Sequence, residues 1–160
     1  MQLKPHKKKS SSFTIIIGCG KLGASIADKI SDSGGDVLIL DKDKEAFRRL
    51  SPHYGGMSVV GDALDLDKLK EIGMQKAATL LVVTNDDNTN NMVAQLAVHL
   101  FSVKRVIARV VDRDKEGIFN SNGIQTFCPV SLSQERIGQL LSADDPVVDQ
   151  IVDTEGEDNR

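Results

Sequence analysis

Short runs of β-branched and aliphatic residues recur along the chain, each followed by a stretch in which apolar residues return every three or four positions. Runs such as Ile15-Ile16-Ile17, Val37-Leu38-Ile39-Leu40 and Leu80-Leu81-Val82-Val83 do not alternate apolar with polar. An unbroken apolar run marks a strand covered on both faces, the condition of a parallel sheet between two layers of helices. The runs predict strands at 13–17, 36–40, 57–60, 79–83, 105–110 and 125–127, and the helical period predicts helices at 21–33, 44–50, 64–72, 87–102, 114–121 and 132–141. In the first helix Leu22, Ile26 and Ile30 repeat at i, i+4 and i+8, and Gly34-Gly35 supplies a stop. Asp43, Asp86 and Ser131 stand near positions suited to N-terminal caps. Strands alternating with helices predict an α/β fold of Rossmann type: a single domain with a doubly wound parallel sheet, six strands in the order 3-2-1-4-5-6.

The ends of the chain lack this pattern. Residues 1–12 carry Lys4, Lys7, Lys8 and Lys9 with Pro5 and three serines, and read as a flexible basic arm. Residues 143–160 hold seven acidic residues against Arg160 and read as an acidic tail, in which Val147-Val148 and Ile151-Val152 could form the stub of a docking segment. The folded domain is expected at 13–142.

Charge and cysteines narrow the function. A net charge of -3 disfavours a nucleic-acid binder held by phosphate neutralisation. No apolar run approaches the roughly 20 residues that cross a bilayer, and the first residues have no apolar core of a signal peptide, so a cytoplasmic chain is expected. Cys19 and Cys128 follow the first and last strands. In the expected order those strands lie three spacings apart, roughly 14 Å, against a Cα limit of about 7 Å for a disulfide, so both are expected as free thiols.

The chemistry begins where the first strand ends. Gly18-Cys19-Gly20-Lys21-Leu22-Gly23 is a G-x-G-x-x-G turn opening a helix, and Asp41 closes the second strand 23 residues after Gly18. In such a turn the first glycine permits the bend, the second lets phosphates approach bare backbone, and the third lets helix and strand pack closely. The helix N-terminus adds unpaired N–H groups and a partial positive charge. Lys21 either adds a full charge there or stands solvated. Asp41 suits both hydroxyls of an adenosine ribose and would repel a 2′-phosphate, favouring NAD(H), ATP, ADP or AMP over NADP. Lys42 beside it either softens that repulsion or stays exposed.

Gly61-Asp62-Ala63 follows the third strand and Thr84-Asn85 the fourth. Both loops lie at the carboxyl edge of the sheet, where ligands of this fold sit, although turn and cap chemistry accounts for the same residues. His6, His53 and His99 form no evident acid/base pair with a carboxylate, and no zinc-ligand spacing is present. No catalytic or metal residue is therefore assigned, and an NAD-dependent oxidoreductase fragment or a redox-sensing Rossmann regulator stands as the alternative.

These residues together resemble the RCK/KTN family, the nucleotide-binding regulatory domains of potassium channels and Trk/Ktr-type potassium transporters. The likeness runs from about Phe13 to Leu141, through FTIIIGCGKLGASIA, VLILDKD, VVGDALD, VVTNDDNTNNMVAQLA, VIARVVD and GIQTFCP. It implies NAD(H) or ATP/ADP binding, with Gly18, Gly20, Lys21 and Gly23 at the phosphates, Asp41 at the ribose, Asp62 and Ala63 at the adenine, and Thr84 and Asn85 at the ligand's other half. Arg109 matches a basic position near the ligand or a subunit contact. It further implies a homo-oligomer, a dimer or ring, docked on a membrane potassium transporter or channel subunit at the inner face of the cell membrane. Many members continue into a smaller C-terminal regulatory domain, which a separate chain could supply here.

Overall fold

The computed structural model describes residues 12–120 and 123–142. The basic arm, apart from Ser12, and the acidic tail lie outside the described residues. Six strands form one sheet: β1 (Thr14–Ile17), β2 (Val37–Asp41), β3 (Met57–Val60), β4 (Thr79–Val82), β5 (Arg105–Arg109) and β6 (Gln125–Phe127). Every pairing is parallel and the order is β3-β2-β1-β4-β5-β6. The expected fold class and strand order are those observed. The reversal between β1 and β4 sends successive connections to opposite sides of β1, opening a crevice at the carboxyl edge.

Strand residues alternate between two cores, which explains the unbroken apolar runs. Ile15, Ile17, Leu38, Leu40, Leu80 and Val82 point to one face and pack with Leu69, Val93, Ala94 and Ala97. Ile16, Val37, Ile39, Leu81 and Val83 point to the other, under Ala24, Ala27 and Ala46. Helix α1 (Lys21–Asp32) therefore lies on one face, and α2 (Leu66–Glu71) and α3 (Asp87–His99) on the opposite face. Phe119 of α4 (Glu116–Asn120) joins the α3 side.

Five helical segments depart from expectation: the one expected at 114–121 is a 3-10 turn, Arg113–Lys115, followed by α4, and the other four differ for local reasons. The segment after β2 is a 3-10 helix, Lys44–Arg49, capped by the carboxylate of Asp43. Helix α2 begins two residues later than expected, because Asp65 accepts the amides of Asp67 and Lys68 and so sets the start. Helix α3 stops at His99, and Ser102, at φ 55°, cannot continue it. Helix α5 (Pro129–Ser142) starts at Pro129, whose fixed φ and missing N–H suit a first turn, so Ser131 lies inside the helix and does not cap it. Among the described residues no helix is long and apolar enough to cross a membrane.

Candidate functional site

The turn after β1 is shaped by two close approaches. Gly18 adopts φ +103°, and a Cβ there would lie 3.1 Å from the Thr84 amide nitrogen on the neighbouring strand's exit. A Cβ on Gly23 would collide with the carbonyl oxygen of Gly18 and reach 3.2 Å from Val83 Cγ2. Helix α1 therefore begins hard against β1, with Gly20 as its N-cap and no side chain capping the first turn. Among the described residues, nothing beyond its own chain neighbours lies within 4 Å of the position a Gly20 Cβ would take. The first-turn amides, which have no acceptor inside the helix, border the cleft through Gly20, Lys21 and Leu22.

The carboxylate of Asp41 ties this turn to the end of β2. Its Oδ2 accepts the Cys19 N–H at 2.6 Å and its Oδ1 accepts the Asp43 N–H at 2.9 Å. A carboxylate has about four lone-pair sites, so each oxygen retains one for a ligand hydroxyl. Cys19 is fully buried and its thiol donates to the Ala46 carbonyl at 3.4 Å. Burial, and then the negative charge of Asp41, push the Cys19 thiol up to about 11. Cys19 and Cys128 are both buried thiols that form no disulfide among the described residues.

The loop after β3 is held by its own turn. Asp62 Oδ1 accepts the Leu64 N–H at 2.9 Å, and Gly61 N–H donates to the Asp41 carbonyl at 2.9 Å. Ala63 is buried, whereas Asp62 and Lys42 are exposed.

The loop after β4 is organised by two buried polar residues of α3 that the sequence reading did not single out. Asn90 Oδ1 accepts the Thr84 hydroxyl at 2.6 Å and the Thr84 N–H at 3.1 Å. Its Nδ2 donates to the carbonyls of Thr84 and Arg109 at 3.1 and 3.0 Å. The Asp87 carboxylate accepts the amides of Val111 and Asp112 at 2.7 and 2.9 Å. Together they fasten the exits of β4 and β5 to the start of α3. Asp86 caps that helix through the Thr89 N–H at 2.7 Å, and hydrogen bonding from the Thr89 side chain, then from its N–H, holds the Asp86 carboxyl below the usual range. Arg109 Nη1 donates to Asn85 Oδ1 at 2.7 Å, while its buried Nε has no hydrogen-bond partner among the described residues.

These loops enclose one cleft of about 1010 Å³. All the residues expected from sequence line it except Gly23, which packs beneath: Gly18, Cys19, Gly20, Lys21, Leu22, Asp41, Lys42, Gly61, Asp62, Ala63, Thr84, Asn85 and Arg109. The reading missed Ala46, Arg49, Leu64, Asp86, Thr89 and Pro129, which also line it. Arg49 sits eight residues past Asp41 in the helix expected at 44–50, and nothing in the sequence separates it from the neighbouring Arg48. Lysine and arginine charges in the lining, from Lys21, Lys42, Arg49 and Arg109, face carboxylates of Asp41, Asp43, Asp62 and Asp86.

A family model described as the TrkA-N domain matches residues 14–128. The chain belongs to the TrkA-N domain family. This TrkA-N domain is 32% identical over 127 residues to the Trk system potassium uptake protein TrkA of Streptomyces coelicolor, a match covering 79% of this chain and 57% of that protein. It therefore spans little more than half the length of that relative. Among solved structures it is similar to GsuK bound to ADP, at 24% identity and TM-score 0.72, covering 86% of this chain and 36% of that one. It is equally similar to the GsuK channel bound to NAD, at 24% identity and TM-score 0.72, covering 86% of this chain and 24% of that one. At these identities the likeness to GsuK is one of fold.

Proposed function

We propose that this TrkA-N domain binds an adenine nucleotide, NAD(H) or ATP/ADP/AMP, and gates a potassium uptake transporter or channel by a change of conformation. The observation that carries the nucleotide reading is the bare backbone at Gly20 at the start of α1, facing the same cleft as the half-buried Asp41 carboxylate. Helix-terminal amides suit a diphosphate, and a carboxylate with lone pairs to spare suits a ribose. The reading places the phosphates over Gly18, Cys19, Gly20, Lys21 and Leu22, the ribose at Asp41 and Lys42, the adenine near Gly61, Asp62 and Ala63, and the remainder near Thr84, Asn85 and Arg109. Gly23 contributes by close packing. Solved structures of like fold include GsuK bound to ADP and to NAD, which supports the ligand class.

A binding role fits the lining better than a catalytic one. Neither His53 nor His99 lines the cleft, and His99 meets Gln95 at 3.1 Å. Gating asks more than binding. Driving a two-state switch from 1:99 to 99:1 takes about 5.5 kcal/mol of differential affinity, more than one phosphate contact supplies. Summing small differences over several copies meets that demand, so the proposal includes a homo-oligomer held at the inner face of the cell membrane by its transporter. Exposed Val130, Ile137 and Leu141 on α5 offer apolar surface for such assembly.

Native mass spectrometry of the full chain, with and without NADH and ADP, tests both parts. An assembly larger than the monomer that retains nucleotide is the expected result. A chain that takes up neither nucleotide overturns the binding reading, and one that stays monomeric with and without nucleotide and transporter overturns the gating scheme.

A further inference from the structure

The charges lining the main cleft balance, but those lining its side groove do not. Between the first turns of α1 and the 3-10 helix Lys44–Arg49 lies a groove of about 490 Å³ lined by Lys21, Ala24, Ser25, Asp28, Lys29 and Arg49. Lys21 and Arg49 line both the groove and the cleft, so the two are continuous. Neither of them, nor Lys29, forms an ion pair with another described residue, whereas the adjacent Arg48 is paired with Glu45 at 2.8 Å. The groove holds one carboxylate, Asp28, whose two oxygens share the Ser51 N–H at 3.1 Å, so its lining carries three cations against one anion. Arg49 Nη1 donates a long hydrogen bond, 3.4 Å, to the Ala46 carbonyl. Three cations with no ion-pair partner among the described residues, around one carboxylate, leave a net positive site that an anion with several oxygens would complete.

The position selects which anion. The groove opens on the β2 side of the glycine turn, the side of Asp41 and Ala46. A group continuing past a diphosphate toward β4 and β5 would instead meet Thr84, Asn85 and Arg109. We propose that the groove of Lys21, Lys29 and Arg49 is an anion subsite for a phosphate ester on the adenosine ribose, so that the cleft admits 2′-phosphorylated nucleotides such as NADP(H). The inference rests on the nucleotide reading above. It departs from the discrimination expected of Asp41 alone, because that expectation left out Arg49, which lines both the cleft and the groove.

Calorimetry on the full chain decides it with pairs of ligands that differ by one phosphate. Adenosine 2′,5′-bisphosphate is compared with AMP, NADPH with NADH, and ATP with ADP. The expected result is about tenfold tighter binding for the 2′-phosphorylated member of the first two pairs, the size of one charge-assisted contact. In Arg49→Gln, and to a lesser degree in Lys29→Gln, that ratio falls toward one, with circular dichroism confirming the fold. Weaker binding of the 2′-phosphorylated members, or a ratio that survives Arg49→Gln, overturns the inference while NADH or AMP binding keeps the parent reading intact. A gain confined to ATP over ADP, lost in Arg49→Gln, assigns the groove to a terminal phosphate and overturns the ribose assignment. If none of the six ligands binds, the nucleotide reading itself has failed.

Discussion

At the scale of single residues, the site rests on atoms that have no room to change. Gly23 is buried against the Gly18 carbonyl, and a methyl group there would force α1 away from β1. Gly23→Ala is therefore expected to cost about 1–3 kcal/mol, in the range of overpacked cores, and to weaken nucleotide binding by displacing the first-turn amides. Urea denaturation with matched calorimetry checks both, and an unchanged midpoint would show that the turn can shift without cost. Cys19 offers a second test. Its thiol, at about 11 against an ordinary 9.0, stays neutral at physiological pH and lies under the glycine turn. Iodoacetamide should therefore modify native Cys19 far more slowly than a free thiol at pH 8. Burial also pushes the Tyr54 hydroxyl up, to about 12 from 10.0, and the charge of the Cys19 thiolate adds to the rise. Both groups are protonated more readily in the fold than in the unfolded chain. The stability they confer is full below pH 9, and falls as pH rises through about 11 and then 12. A thermal midpoint that stays level to pH 9 and drops above it is the expected profile, and Cys19→Ala should soften the first part of the drop.

At the scale of elements, α3 is the clamp of the cleft. Fully buried Asn90 uses its carbonyl oxygen for Thr84 and its amide for the carbonyls of Thr84 and Arg109, bridging the exits of β4 and β5. Asn90→Leu strands these groups away from water. A loss of about 1–3 kcal/mol for each buried group left unsatisfied follows, with Asn90→Asp, which keeps the acceptor, expected to lose less. Equilibrium denaturation of the two variants reads this out, and equal losses would refute the clamp. Asn90 also marks where sequence reading ran short. An asparagine in a polar run, Asn88-Thr89-Asn90-Asn91, has no periodicity to reveal it as buried, because its role depends on a strand nineteen residues away. The strands were legible within a residue or so, since β-branched runs buried on both faces have one available structure. Helix starts were legible where a carboxylate caps them, as at Asp43 and Asp86. They slipped where the true cap lay one residue past the expected start, at Asp65, or where Pro129 opened the helix early. The glycine turn and Asp41 were legible because their chemistry is local. Arg49 was not, because only the packing of the 3-10 helix beside α1 turns it toward the cleft.

At the scale of the whole molecule, α5 is the helix that the other described residues leave most exposed. No residue of this 14-residue helix is buried, although Val130, Leu132, Ile137, Leu140 and Leu141 are each more than half exposed. On a helix of 3.6 residues per turn, Val130, Ile137 and Leu141 fall at i, i+7 and i+11 and form one stripe. Such a stripe contributes nothing to an isolated domain and invites association. The double variant Ile137→Gln, Leu141→Gln should therefore leave the unfolding free energy of the monomer within about 0.5 kcal/mol, as exposed substitutions do. Its assembly should dissociate at lower dilution than the parent, read by light scattering across a concentration series. Because the proposed gating by summed differences would depend on contact between copies, the same variant separates two quantities that would otherwise change together. Nucleotide affinity per chain should persist, since no residue of the stripe lines the cleft. Steepness of the response to nucleotide, measured as the Hill slope of binding, should fall toward one. A double variant that still assembles and binds with an unchanged slope would place the coupling surface elsewhere on the domain.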